Sequence, residues 1–81
     1  MTDEPAIVLD YRGLRCPLPV IRARKALRRV PSGREALITA DDASAPADFT
    51  AFCDITGHEL LGIAEHEGLF EIRLRTGRKG R

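Results

Sequence analysis

The sequence is poor in aromatic residues and in cysteine. It contains no tryptophan, one tyrosine and three phenylalanines, and only two of its 81 residues are cysteine. Two cysteines cannot build the dense disulfide framework of a small secreted domain, so we expect free thiols in a reducing compartment. The few aromatic side chains are dispersed along the chain, which argues against a surface that stacks nucleic-acid bases.

Long apolar runs are also missing. No stretch approaches the roughly 18 apolar residues of a membrane-spanning helix, and the acidic first five residues do not resemble a secretory signal. We therefore expect a cytoplasmic protein without membrane contact. A chain of this length buries only about 60% of its unfolded surface. We predict one domain over residues 1–81, with residues 1–5 and 77–81 as frayed tails.

The net charge of +1 conceals a strong segregation of charge. Residues 12–34 hold eight Lys or Arg and no acid, whereas residues 35–71 hold nine Asp or Glu and no Lys or Arg. Such separation steers oppositely charged partners toward one face of a protein. Arg22, Lys25 and Arg29 share one face of the first predicted helix, so we predict that they bind a partner protein. A merely solvated helix face would show the same pattern.

Hydrophobic periodicity predicts the element order βαβαββ. The strands are expected at residues 6–9, 36–40, 60–64 and 69–74, with helices at 17–30 and from about 45 to 57. A strand, helix and strand in so short a span imply a parallel pair with a right-handed crossover. The predicted fold is an α/β two-layer sandwich, with two helices on one face of a mixed four-stranded sheet. A ferredoxin-like order is disfavoured because only one strand separates the helices.

Cys16 lies where the first strand and a turn give way to the first helix. Pro17 disfavours helical dihedrals at Cys16 and suits the first helical turn, so Cys16 is predicted to be the N-cap. With Pro19 in the same turn, only the N–H of Leu18 is expected to remain free for an anion. The helix dipole lowers a thiol pKa by less than about one unit.

Nearby cations would have to lower the thiol pKa further, and the chain offers Arg12, Arg15, Arg22 and Lys25. Because the thiolate is the nucleophilic form of cysteine, we predict a reactive thiol at Cys16. An inert N-cap cysteine is the plain alternative.

The second cysteine has a different setting. Cys53 shares a helical stripe with Phe49 and Phe52, so we predict a buried small hydrophobe without a catalytic role. Asp41 and Asp42 are interpreted as turn residues. No metal site is expected, because the candidate ligands lack any paired spacing; they are Cys16, Cys53, His58 and His66. A thioredoxin-like redox role fails because no second cysteine lies beside Cys16.

Several segments together resemble the signature of the TusA/SirA-like sulfur carrier family. The resemblance covers residues 9–75, and its most specific element is the Cys-Pro-x-Pro sequence at residues 16–19. Further matches are Lys25-Ala26-Leu27, Ala40-Asp41-Asp42, Asp48-Phe49, Phe52-Cys53 and the Gly-His-Glu-Leu-Leu sequence at 57–61. The chain departs from the family at Leu18, where some members have Glu, and at Ala43, where proline often follows the Asp pair.

The resemblance implies the same fold and a persulfide sulfur on Cys16, with Pro17, Pro19, Arg15 and Gly13 as supporting residues. It implies a sulfurtransferase-type relay rather than a stand-alone enzyme, with no cofactor beyond the transient persulfide. A cysteine desulfurase or rhodanese-like protein would donate the sulfur, and an acceptor enzyme would receive it. The pathways implied by different members are tRNA thiolation, molybdenum cofactor maturation and sulfur oxidation. Direct nucleic-acid binding is not expected.

The alternative is a small regulatory module that binds RNA or protein through its basic helix without sulfur transfer.

Overall fold

The computed structural model describes residues 6–77, which form four strands and two helices. The elements are β1 Ile7–Asp10, α1 Leu18–Leu27, β2 Glu35–Ala40, α2 Ala45–Thr56, β3 Glu59–His66 and β4 Leu69–Arg75. This order confirms the predicted βαβαββ arrangement. Of the tails predicted to fray, residues 1–5 and 78–81 lie outside the described residues.

The four strands form one mixed sheet in the order β1-β2-β4-β3. Strands β1 and β2 are parallel, whereas β4 pairs antiparallel with both β2 and β3. The two helices contact each other, and α2 also packs against β3 and β4. The α/β two-layer sandwich predicted from the sequence is therefore confirmed.

The core lies between the sheet and the helices. In β2, every second residue is buried, and Ile38 pairs with the buried Ile72 of β4. The alternation predicted for β4 is confirmed, since Ile72 and Leu74 are fully buried while Arg73 and Arg75 are exposed. The helices contribute the remaining buried apolar side chains, namely Ala23, Leu27, Ala45, Phe49, Phe52 and Cys53.

The first helix is shorter at both ends than predicted. Pro17, not Cys16, is the N-cap, and the N–H of Leu18 donates to the carbonyl of Arg15 at 2.8 Å. The prediction of a free N–H at Leu18 is thus wrong. At the other end the helix stops at Leu27, and the N–H of Val30 closes a turn onto the Leu27 carbonyl at 3.1 Å. Pro31 explains this end, because it disfavours helical dihedrals at Val30.

The hairpin between β3 and β4 has a tighter turn than predicted. His66 pairs directly with Leu69, so only Glu67 and Gly68 remain in the turn. Both have positive φ, at 51° and 85°, which is the conformation of the type I′ turns that suit the twist of paired strands. Residues 65 and 66, predicted to be part of the loop, therefore extend β3.

The end of β4 is fixed against neighbouring loops. The N–H of Gly77 donates to Nδ1 of His58 at 2.9 Å, and a Cβ at Gly77 would overlap the carbonyl of Gly57. The buried hydroxyl of Thr76 donates to the carbonyl of Pro31 at 2.7 Å. Within residues 6–77, no helix has the length and apolar character needed to cross a membrane.

Candidate functional site

Cys16 is exposed in the loop between β1 and α1. Its side chain lies at one end of a groove of about 290 Å³ between the two helices. The walls of the groove are mainly apolar and include Val20, Phe52 and Ile55, the last of which is 74% exposed. Cys16 is therefore exposed, as expected from the sequence, and it adjoins a mainly apolar surface.

Two carboxylates from the loop after β2 hold the Cys16 loop in place. Asp42 accepts the N–H of Cys16 through Oδ2 at 2.9 Å and the N–H of Ser44 through Oδ1 at 2.7 Å. Asp41 accepts the N–H of Gly13 at 3.1 Å. The interpretation of this Asp pair as turn residues was incomplete, because both side chains also anchor the segment that carries the thiol.

The residues thought to support Cys16 surround it along the backbone. Gly13 has a φ of 86°, in the region that favours glycine. The carbonyl of Arg15 accepts the N–H of Leu18, and Pro17 caps the helix. Pro19 is buried in the first turn of α1. Together these residues fix the backbone on both sides of the sulfur.

The charges around the sulfur are opposite to those predicted. The carboxylate of Asp48, which lines the same groove, is the largest cause of a raised pKa at the Cys16 thiol; desolvation and the charge of Asp42 act in the same direction. A hydrogen bond from the Ser44 side chain opposes them. The prediction of a thiolate held by neighbouring cations is wrong for the protein alone.

The nearest cations in sequence are engaged elsewhere. Arg12 forms a bidentate ion pair with Asp10, with Nε–Oδ1 at 2.8 Å and Nη2–Oδ2 at 2.7 Å, which holds the pKa of Asp10 below its usual range. The pKa of Asp42 is lowered chiefly by the N–H groups of Cys16 and Ser44, and to a lesser degree by the charge of Arg15. The positive charge of Arg15 thus acts on a carboxylate rather than on the thiol.

The predicted partner-binding residues lie together on α1. Arg22, Lys25 and Arg29 line a shallow groove that also includes Leu18 and Ile21. These two apolar side chains are 41% and 51% exposed. We call Arg22, Lys25 and Arg29 the basic surface of α1. This shallow groove includes Leu18, two residues after Cys16, whereas Cys16 itself lines the groove between the two helices.

Cys53 lies in the core with 4% of its surface exposed, as predicted. Burial raises the pKa of its thiol to about 11. His58 also has a structural position, because its Nδ1 accepts the Gly77 N–H and its ring lies 5.4 Å from that of Phe52. Among residues 6–77, no three His, Cys, Asp or Glu side chains come together in a way that could hold a metal.

The sequence interpretation missed Asp48 and Ser44 as neighbours of the thiol. From the sequence, Asp48 was noted as part of the family resemblance; in the structure it lies in the first turn of α2. The predicted parallel pairing of β1 and β2 could have identified these neighbours of the thiol. Because β1 and β2 are parallel, the loops that follow them leave from the same edge of the sheet. The Cys16 loop must therefore meet the start of α2.

Comparison with known proteins adds three findings. The family model described as Sulfurtransferase TusA matches residues 7–76. A Neisseria meningitidis serogroup A protein, named provisionally as a sulfur carrier, is 48% identical over 64 residues, covering 79% of this chain and 86% of the relative. Sulfur carrier protein TusA of Allochromatium vinosum is 40% identical over 67 residues, covering 83% and 88%.

The solved structures include a similar chain. The crystal structure of a SirA-like protein from Desulfitobacterium hafniense superposes with a TM-score of 0.75 at 27% identity. The match covers 89% of this chain and 99% of the other. The shared architecture therefore extends over the whole of that relative.

Proposed function

The chain belongs to the TusA family of sulfurtransferases, with the sulfur carrier role of that family, and on this premise we propose that Cys16 is the residue that carries the sulfur. A donor protein would transfer the outer sulfur of its persulfide to Cys16, and an acceptor enzyme would then remove it. On this proposal the protein is a relay with no cofactor other than its own transient persulfide.

The accessibility of Cys16 is the observation that carries this proposal. A relay must present the same sulfur to two different proteins, so the sulfur must lie at the surface on a backbone that keeps its direction. Cys16 is exposed, and the carboxylate of Asp42 together with Pro17 and Pro19 fixes its loop. Cys53, which is buried on the inner face of α2, does not meet the requirement for a surface position.

The partners proposed are proteins that hold or accept persulfide sulfur. A cysteine desulfurase or a rhodanese-like protein fits the donor role, and the acceptor belongs to tRNA thiolation, molybdenum cofactor maturation or sulfur oxidation. The basic surface of α1 would attract an acidic region of either partner and bring it beside the thiol. The cytoplasmic location expected from the sequence stays a prediction.

The test is loading by a cysteine desulfurase supplied with cysteine, followed by mass spectrometry of the intact protein and its peptides. We expect one added sulfur on the peptide that contains Cys16. Cys16→Ser should accept no sulfur, whereas Cys53→Ser should load like the unaltered protein if it remains folded. A parallel experiment, in which a rhodanese-like protein is the sulfur donor, distinguishes the two donor classes. Absence of added sulfur from both donors would contradict the proposal.

A further inference from the structure

The thiol of Cys16 lies near two carboxylates, those of Asp42 and Asp48. Asp48, on the first turn of α2, lines the same groove as Cys16, while Asp42 accepts the N–H of Cys16 at 2.9 Å. Arg24 is the charged group that α1 contributes to this groove. None of the ion pairs within residues 6–77 includes Asp48. Among these residues, the carboxylate of Asp48 therefore shares the groove with Cys16 and forms no ion pair.

A carboxylate in this position affects both directions of sulfur exchange. An anion on the Cys16 sulfur is repelled by Asp48, so the unloaded residue is held as a thiol. When a carried sulfur is removed, Cys16 must leave as a thiolate, and a thiol of raised pKa leaves more slowly. The same contact therefore protects the empty carrier from oxidation and alkylation and makes the loaded carrier retain its sulfur.

We propose that Asp48 is a positioning residue that makes Cys16 hold its sulfur against small thiols until a partner docks with a cationic group beside its own reacting thiol. The cation pairs with Asp48 and removes the repulsion that the leaving Cys16 thiolate would otherwise meet. This inference rests on the proposed carrier function of Cys16. The inference predicts that the partner has a reacting thiol with a Lys, an Arg or a protonated amine beside it.

The release step is balanced without an oxidant or reductant. An acceptor thiolate attacks the outer sulfur of the Cys16 persulfide, and a new sulfur–sulfur bond forms to the acceptor. The bond between the outer sulfur and Sγ of Cys16 breaks, and its electron pair leaves on Sγ. The resulting thiolate takes a proton from water, which restores the uncharged thiol beside Asp48. The carried sulfur moves without a net change of oxidation state.

The experiment compares the unaltered protein with Asp48→Asn after chemical loading with inorganic polysulfide. The loaded proteins are exposed to 2-mercaptoethanol, a neutral thiol, and the loss of the added sulfur is followed by mass spectrometry. We expect release from Asp48→Asn to be about three- to tenfold faster, because without the neighbouring carboxylate the Cys16 thiolate is a better leaving group. Iodoacetamide should also alkylate unloaded Asp48→Asn several-fold faster at neutral pH.

A cationic small thiol tests the partner chemistry. For each protein, the release rate with cysteamine is divided by the rate with 2-mercaptoethanol, so that the intrinsic difference between the reagents cancels when proteins are compared. The unaltered protein should show the larger ratio, because the ammonium group of cysteamine can pair with Asp48. Asp48→Asn should lose this preference.

Two variants serve as controls. Glu65→Gln removes the same charge from the exposed end of β3 and should leave both rates and their ratio unchanged. Asp48→Glu retains the carboxylate and should retain slow release, which a general loss of packing at α2 would not explain. Unfolding curves for each variant confirm that the rates refer to folded protein.

The outcomes separate this inference from the proposed function. Equal release and alkylation rates for Asp48→Asn and the unaltered protein, with normal loading by a donor protein, would overturn the role of Asp48 alone. If donor proteins fail to load Cys16 while polysulfide-loaded Asp48→Asn still releases its sulfur faster, the proposed carrier function is contradicted. The effect of Asp48 on sulfur release is then supported. A cysteamine preference that persists in Asp48→Asn would overturn the assignment of the cation to this carboxylate.

Discussion

Cys16 and Cys53 both have a raised thiol pKa, but the causes differ and so do the consequences. Asp48 is the main cause at Cys16, whereas burial is the cause at Cys53. A partner can neutralise a carboxylate at the surface within one encounter. Burial in the core is reversed only when the domain opens. The comparison shows that accessibility, rather than the resting thiolate population, distinguishes the proposed carrier sulfur from the structural one.

The largest expected difference between the two cysteines is their rate of alkylation in the folded protein. Cys53 should react with iodoacetamide only after opening, and a domain stability of about 5 kcal/mol or more suppresses that rate by a factor of several thousand or more. Cys16 should react at a rate limited by its own ionisation. Peptide mass spectrometry over time measures both rates in one sample.

Alkylation in denaturant provides the control for this comparison. In denaturant, Cys53 is no longer buried and Cys16 no longer lies near the carboxylate of Asp48, so the alkylation rates of the two thiols should become similar. A folded-state rate for Cys53 within about tenfold of that for Cys16 would break the distinction between a surface sulfur and a core sulfur.

The second prediction concerns the docking of a donor near Cys16. Charge reversal by Arg22→Glu together with Lys25→Glu should slow loading by a cysteine desulfurase about tenfold at low salt, because favourable steering becomes repulsion. Loading rates measured at several salt concentrations test this, since screening should shrink the difference. Polysulfide loading, which needs no docked protein, should change little.

Arg73→Glu together with Arg75→Glu, both exposed on β4, is the matched control because it also reverses two charges. Arg73 lies on β4 and pairs with Glu35 at 3.0 Å, away from the thiol loop. Slowing of the same size by this variant would show that net charge, and not the basic surface of α1, governs the encounter. RNA binding that depends on Arg22 and Lys25 but not on Cys16 would instead favour the alternative regulatory function.

The smallest expected effect is on the loop that presents Cys16. The N–H groups of Cys16 and Ser44 lower the pKa of Asp42 below that of an unfolded Asp, so its contribution to stability is fully present above the unfolded pKa. That contribution is lost as the pH falls through the lower folded value. Chemical shifts of the Cys16 and Ser44 amides should therefore follow an acidic titration, below the ordinary range of Asp.

Asp42→Asn sharpens this third prediction. An amide oxygen accepts weaker hydrogen bonds than a carboxylate, and it does not titrate. The variant should lose the acidic step in the amide shifts, and its loading should fall a few-fold because the thiol is presented less uniformly. Retention of the acidic step in Asp42→Asn would assign it to another carboxylate.

Most of the fold was predictable because periodicity reports which side of an element is buried. The alternation of Phe70, Ile72 and Leu74 with charged residues identified β4, and the helical stripe that contains Phe49 and Cys53 identified the buried face of α2. The end of α1 was less predictable, since the apolar Val30 continues the helical spacing. Val30 does pack against the core, but from a turn that precedes Pro31.

The position of Cys16 was predictable, but its electrostatic surroundings were not. Pro17 and the turn before it placed Cys16 at the surface by local rules alone. The groups that set the pKa of its thiol come from another part of the chain, as the bond between Cys16 and Asp42 shows with 26 residues between partners. Arg12, close in sequence, is instead paired with Asp10. Sequence proximity therefore gave the wrong sign for the charge at the sulfur.

The most direct test of the central claim follows one labelled sulfur atom. A cysteine desulfurase is supplied with cysteine that carries a heavy sulfur isotope, and the loaded protein is digested and analysed by mass spectrometry. The account predicts that the label appears as a persulfide on Cys16 and leaves when an acceptor thiol is added, while Cys53 stays unlabelled. Label on Cys53, or no transferable label on Cys16, would contradict it.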